Sequence, residues 1–334
     1  MTFPDRFSSR IFAPTPLALV ALLALAFAPQ QASGQNKYPS KPVRIVVPFA
    51  PGGVADITAR VVADKLGGKL GNRFYIENLP GAGGIAAARA VISSPPDGHT
   101  LAMLTNGTAV SVSLFNNLPF DPVKDFVPIS SLGFFDFVFA TNADSPFKTL
   151  ADFIAAAKAK PGTLNVGTIN IGSTQNLSAE LFKTSAGIDF QIIPYRGTPE
   201  LLVSTMQGNV AVMIDSYSSM KGNIAENKLR ALGSSGPVRS ESAPDIPTLR
   251  EAGVADYDVV SWNALFAPAG TSAEIVSTLN GALREILAEA EVKKRLLELG
   301  IEARAGTPQE ISARLKSDID KWGKVIEKAG IQKQ

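Results

Sequence analysis

Cysteine is missing from all 334 residues, and histidine occurs once, at His99. Without cysteine there is no disulfide staple, no thiolate nucleophile, no cysteine-ligated metal and no cysteine for a lipid anchor. Stability must come from burial, which a hydrophobic content of 45% can supply. His99 stands in the turn Pro96-Asp97-Gly98-His99-Thr100 at the entry to a strand, a surface setting rather than a catalytic one. A Ser/His/acid triad would depend on it, and no nucleophile-elbow motif is present. Any metal site would have to be built from oxygen alone. Asp56 and Asp215 are conceivable as an acid–base pair, but nothing in their spacing selects them from the 30 acidic residues. An excess of one sign of charge is lacking too: 32 Lys and Arg against 30 Asp and Glu give +2, no footprint for nucleic acid. No glycine-rich loop ends in Lys-Ser or Lys-Thr, which argues against a phosphate cradle. These absences point away from an enzyme and call for no cofactor and no metal.

One apolar run stands out, Leu17 to Ala28, preceded by Arg6 and Arg10 and followed by Ala32-Ser33-Gly34. It is about a dozen residues, short of the roughly 20 that span a bilayer, and reads as a secretory signal peptide over residues 1–34. Cleavage after Gly34 satisfies the small-residue rule, whereas cleavage after Ala28 would leave Pro29 at the new terminus. Roughly 300 residues from Gln35 onward remain, enough for two lobes with separate cores.

The remainder alternates short β-branched runs with helical spacing. Strands are predicted over Val43 to Phe49, Phe74 to Glu77, His99 to Thr105, Phe137 to Thr141, Leu164 to Thr168, Phe190 to Pro194 and Val210 to Ile214. Helices are predicted over Ala55 to Leu66 and Gly84 to Val91, and another is announced by Thr149 with Asp152. This βαβ rhythm predicts an α/β fold with largely parallel sheets. The last seventy or so residues read as helical, with capping boxes at Thr271/Glu274 and Thr307/Glu310 and apolar stripes Ile275, Leu279, Leu283, Ile286 and Ile311, Leu315, Ile319, Trp322, Ile326.

Phe49-Ala50-Pro51-Gly52-Gly53 lies between the first strand and its helix, with Asp56 in the helix's first turn. Freed amide groups at such a helix start, with its partial positive charge, suit an anion. One helix end contributes only about 0.3–1 kcal/mol when exposed, so several must converge. Gly81-Ala82-Gly83-Gly84, Ile171-Gly172-Ser173 and Gly197-Thr198-Pro199 repeat the layout of strand, small-residue loop and helix start. In open α/β sheets such loops gather at the carboxyl ends of strands, where ligands bind. A carboxylate or other small-anion site is the reading that four such loops favour.

Eight motifs in order then carry a resemblance: YPSKPVRIVVPFAPGGVADITAR (Tyr38 to Arg60), ENLPGAGGIAAA (Glu77 to Ala88), PDGHTL (Pro96 to Leu101), LPFDPVKDFVPI (Leu118 to Ile129), PYRG (Pro194 to Gly197), KLRALGSS (Lys228 to Ser235), PDIPTLREAG (Pro244 to Gly253) and LFAPAGT (Leu265 to Thr271). From about Tyr38 to Ile331 the chain resembles the Bug-type (TctC-like) substrate-binding proteins of tripartite tricarboxylate transporters. The resemblance implies a two-lobed α/β periplasmic binding protein (type II-like), with a hinge of crossing strands near Phe137 to Thr141 and Trp262 to Ala267. Residues 35–141 and 262–334 would form one lobe and 142–261 the other. It implies a monomeric receptor that binds a dicarboxylate, an acidic amino acid or an aromatic acid and delivers it to membrane subunits. Phe49, Pro51, Gly52, Gly53 and Asp56 would line one wall, joined by Thr105, Asn106 and Thr108 from the loop after the third strand. Gly172, Ser173, Asn176, Tyr195, Gly197, Asp215 and Ser216 would close from the other lobe. The chain departs from the family pattern at Asn170, where glycine is usual, at Asn176, where histidine is usual, and at Ile193, often histidine. Asn176 is expected to face the ligand from the first turn of its helix. A receptor reporting a carboxylate to a membrane sensor kinase would share all these residues, and a periplasmic enzyme is the third class considered.

Overall fold

The computed structural model describes residues 38–169 and 171–334; the signal peptide expected over 1–34, the cleavage expected near Gln35 and Asn170 lie outside the described residues. Two βαβ trios organise the chain. In the first, β1 (Val43–Val47) lies between β2 (Phe74–Asn78) and β3 (Thr100–Thr105), all parallel. Helices α1 (Val54–Leu70) and α2 (Ile85–Ile92) connect them. In the second, β5 (Asn165–Ile169) lies between β6 (Gln191–Tyr195) and β7 (Val212–Ser216), again parallel, with α5 (Thr174–Ala186) and α6 (Thr198–Met206) as connections.

The predicted elements are present with shifted ends, but the sheets are not largely parallel. Two long strands join the trios, and both run antiparallel to their neighbours. β4 (Phe126–Asn142) pairs through Phe126 to Asp136 with β9 (Val260–Pro268), and through Phe137 to Ala140 with β7. β9 in turn pairs with β3. Two short additions pair with β4: β8 (Leu229–Ser234) along its second half and β10 (Glu302–Ala303) along its first. The path β2-β1-β3-β9-β4-β7-β5-β6 is therefore continuous, with β4 belonging to both halves. The expected strand at Phe137 to Thr141 is only the far end of β4. Pro128, the serine pair and Gly133 blur the alternation of its first part, where the register also slips against β9.

Side-chain alternation assigns each strand face to a core. Val43, Ile45 and Val47 pack beneath α1 and α8 (Ala273–Ala288), together with α9 (Ala290–Leu297). On the far side of the same sheet Val46, Ala102 and Leu104 join Phe137, Phe139, Phe153, Phe182, Trp262 and Trp322. That cluster draws on both trios and on α10 (Pro308–Ala329). Val138, Ala140, Val210 and Met213 form a third core on the opposite face of the second sheet. With both faces covered, the central strands carry nearly uninterrupted apolar runs.

Local signals explain the helix starts. Thr149 and Asp152 form the expected capping box ahead of α4 (Leu150–Ala159), as do Thr307 and Glu310 ahead of α10. The box at Thr271 is displaced: Ser272 caps α8 through Ile275 N, while the Thr271 hydroxyl donates to Pro268 O at 2.8 Å. Thr105, Asn106 and Thr108 are not in a loop. Thr105 caps α3 (Asn106–Leu114), with Thr108 closing the reciprocal bond.

The passage back from the second sheet leads directly into β9. Trp262 to Ala267 lie within β9, in the first sheet. The return is made by the segment before them, between Ser234 and Val260. At its root Ser235 is fully buried. Its hydroxyl accepts from Phe137 N at 2.8 Å and donates to Val259 O at 2.5 Å. Its backbone donates to Phe137 O and accepts from Val259 N, each at 2.8 Å. One residue thus ties the outgoing strand to the returning one at the point where β4 changes sheets. Helix α10 braces the same junction: Asp318 accepts from Trp262 Nε1 at 2.6 Å and from Arg314 Nε at 2.8 Å, and Lys321 donates to Asp258 O.

Candidate functional site

The carboxyl ends of β1, β3, β5, β6 and β7 carry the described residues expected to line a ligand site, as strand-end loops of an α/β sheet should. Around β1, Asp56 is buried and its carboxylate is fully engaged. Gly52 N, Arg60 Nε and Asn78 Nδ2 all donate to it at 2.9 Å. Burial pushes its pKa up, but the hydrogen bonds from Arg60, Gly52 and Asn78 outweigh that and hold it below the usual carboxylate value. Asn78 also donates to Phe49 O at 2.9 Å, pinning the loop. Asp56 therefore shapes this wall from inside, while Pro51, Gly52 and Gly53 are exposed and Phe49 keeps 43% of its surface. Gly53 is the N-cap of α1 in extended conformation and no side chain caps the helix. The first amides of α1 are left for an external acceptor.

Thr105, Asn106 and Thr108 are all buried at the start of α3. Asn106 Nδ2 donates to Val260 O at 3.3 Å, and its Oδ1 has no partner.

In the second half, Asp215 is the counterpart of Asp56 but has no cation beside it. Thr198 Oγ1 donates at 2.6 Å, Ser216 N at 2.7 Å and Gln175 Nε2 at 3.2 Å. Burial raises its pKa and the three donors lower it in part; the net direction is up. Through this carboxylate the first turns of α5 and α6 and the N-cap of α7 (Tyr217–Ala225), which is Ser216, are held in one cluster. Gly197 caps α6 with no side-chain bond. Tyr195 is turned aside, its hydroxyl 2.5 Å from Ser204 Oγ. Asn176 does not present its amide outward as expected. Its Oδ1 accepts from Gly172 N at 3.2 Å and its Nδ2 donates to Thr168 Oγ1 at 3.3 Å, so it buttresses the loop before α5. Arg196 is exposed, and Glu200 Oε2 accepts from its backbone N at 3.4 Å.

The second-half loop before α5 meets the first half at the far end of α3. Gly172 has φ +78°, and a Cβ there would lie 2.1 Å from Leu114 Cδ2 at the end of α3. Only glycine lets the second-half loop come this close to the first half. Sequence reading missed Gln175 and Leu114, and it held Asn78 and Thr198 only as motif positions without a role. Arg60 was within reach of it as the i+4 partner of Asp56, whereas the others are joined only by the fold. His99 is at the opposite end of β3, where its Nε2 accepts from Ser40 N at 3.2 Å. A surface hollow of about 640 Å³ lies elsewhere, between α3 and the end of α10 beside Ser113 and Gly323, and includes none of these residues.

Known proteins share this fold. The family described as "Tripartite tricarboxylate transporter family receptor" matches residues 58–331. Protein BugT of Bordetella pertussis is 32% identical over 297 residues, 88% of this chain and 91% of that protein. Rpa4515 of R. palustris, solved with adipate, superposes with a TM-score of 0.80 at 33% identity, covering 88% of this chain and 99% of that one. MatC of Rhodopseudomonas palustris, with bound malate, gives 0.75 at 33% identity over 86% of this chain and all of that one. The sequence match along most of the chain and the shared fold lead to one conclusion: this chain belongs to the tripartite tricarboxylate transporter receptor family, the Bug or TctC-like periplasmic solute-binding proteins.

Proposed function

We propose that this chain is the extracytoplasmic receptor of a tripartite tricarboxylate transporter, exported by a cleaved signal and working in the periplasm as a monomer. It takes a small organic carboxylate (a dicarboxylate, an acidic amino acid or an aromatic acid) between a lobe of residues 35–141 with 262–334 and a lobe of 142–261. It catalyses no reaction and passes the ligand to membrane subunits. The observation that carries this reading is the uncapped start of α1 at Gly53, whose amides stand free because Asp56 is consumed by Gly52, Arg60 and Asn78. Adipate and malate, named for two neighbours, are small dicarboxylates and support the ligand class.

A thermal-shift screen against organic acids tests it. A cognate acid at 100 times its Kd should stabilise the fold by about 2.7 kcal/mol. Stabilisation by sugars or amines, with no response to any carboxylate, would reject the reading.

The source of the binding energy is separable. Gly53 has φ −82° and ψ 171°, and a Cβ there meets nothing within 4 Å, so Gly53→Val should fold while screening the α1 amides. We expect that variant to lose tenfold or more in affinity. Arg196→Ala should change affinity by less than about fivefold, the scale of an exposed charge. Calorimetry giving the reverse order would replace the helix-start mechanism with an arginine clamp.

A further inference from the structure

Asn106 is 1% exposed, at the first position of α3 and the carboxyl end of β3, on the sheet edge where the candidate loops gather. Its amide orientation is fixed, because Nδ2 donates to Val260 O. That leaves Oδ1 as a buried acceptor with no donor in reach. The nearby cation is already committed: Arg314 gives Nη2 to the same Val260 O at 3.0 Å and Nε to Asp318 at 2.8 Å. The Thr105 and Thr108 hydroxyl oxygens accept backbone N–H groups in the capping box, and neither hydroxyl bonds to Asn106 Oδ1. A buried acceptor without a partner is costly, and native interiors seldom retain one. An ionised carboxylate cannot relieve it, since a carboxylate only accepts.

We propose that Asn106 is a specificity-determining residue that receives a hydrogen bond from the ligand, so that the bound molecule is a carboxylate carrying a hydroxyl or ammonium group as well. The inference rests on the receptor reading above and narrows it: the α1 start answers the ligand's negative charge, and Asn106 answers its donor. Plain acids leave Oδ1 unpaired and bind more weakly than their hydroxylated or aminated counterparts. Discrimination of this kind, set by a polar group that only one ligand can satisfy, exceeds what an apolar pocket achieves.

Matched pairs decide it by calorimetry: L-malate against succinate, L-aspartate against succinate, and L-lactate against propionate. In the unmodified protein, the hydroxy or amino member of at least one pair should bind about tenfold tighter or better. The first and third pairs report a hydroxyl and the second an ammonium. In Asn106→Ala that preference should fall to within about threefold. Asn106→Ser, which keeps an acceptor, should retain part of the preference, and it serves if the alanine variant fails to fold. Equal binding within every pair in the unmodified protein would overturn the inference and point to an ordered water on Oδ1. A preference that survives in both variants would overturn it too. If no carboxylate binds at all, the receptor reading fails and this inference fails with it.

Discussion

Ser235→Ala is expected to cost about 2–4 kcal/mol of stability, although it removes a single oxygen. The hydroxyl accepts from Phe137 N and donates to Val259 O in a fully buried position. Alanine keeps the two backbone bonds of Ser235 but leaves a buried N–H and a buried C=O without partners, at about 1–3 kcal/mol each. No water reaches the site to take over without opening the junction. Urea denaturation should show the loss in its midpoint, and hydrogen exchange should show the Phe137 amide losing protection beyond the global change. A destabilisation below about 1 kcal/mol would mean that the two strands are held together by packing alone.

That clasp illustrates what the sequence could and could not reveal. Elements with a local cause were legible: the βαβ rhythm, the caps at Thr149 and Thr307, and the glycine loops ahead of α1 and α5. The cap at Thr271 was misplaced by one residue because Ser272 offers the same chemistry next door. Helix α3 escaped notice because Asn-Gly-Thr-Ala-Val-Ser-Val-Ser-Leu mixes β-branched and small residues and is buried on most sides, so no apolar stripe marks it. The antiparallel joining strands were hidden for a related reason, since a run buried on both faces does not announce its direction. The loops of the candidate site stand out as motifs, but the internal partners of their side chains do not. Asp56 and Asp215 are saturated from within by Asn78, Gln175 and Thr198, and Asn176 turns inward; those partners are distant in sequence or unmarked by any pattern.

Asp136→Asn is expected to stabilise the protein above neutral pH and to leave it unchanged in acid. Asp136 is the last residue of β4 paired in the first sheet, and it lies against Gly236 on the returning segment, where an added Cβ would sit 2.4 Å from its carboxylate. Burial pushes its pKa from the ordinary 3.8 up to about 7, helped by the negative charges of Asp258 and Glu302. Lys321 does not neutralise it: its ammonium donates to Asp258 O, and burial lowers its own pKa. The sign follows from proton binding. Between about pH 4 and 7 the folded state holds a proton that the unfolded state has released, so stability falls as pH rises through that window and levels off above it. The full shift corresponds to roughly 4 kcal/mol, and partial exposure of the side chain brings the expected effect to on the order of 2 kcal/mol. Urea midpoints of both proteins at pH 4 and pH 8 check this. Profiles that stay parallel would place Asp136 in an ordinary solvated environment.

The threading of β9 has a consequence for the time the chain needs to fold. Thr105 pairs with Asn263 and Phe126 with Pro268, so the first sheet cannot be completed until the whole second half has been made and brought round. Loop closure over such separations must precede any reward from pairing, which places this topology among slow folders. Until β9 arrives, β3 and the first half of β4 present open edges. Unpaired edges of that kind invite wrong pairings, so the late arrival of β9 is also what closes the first sheet against association with other chains.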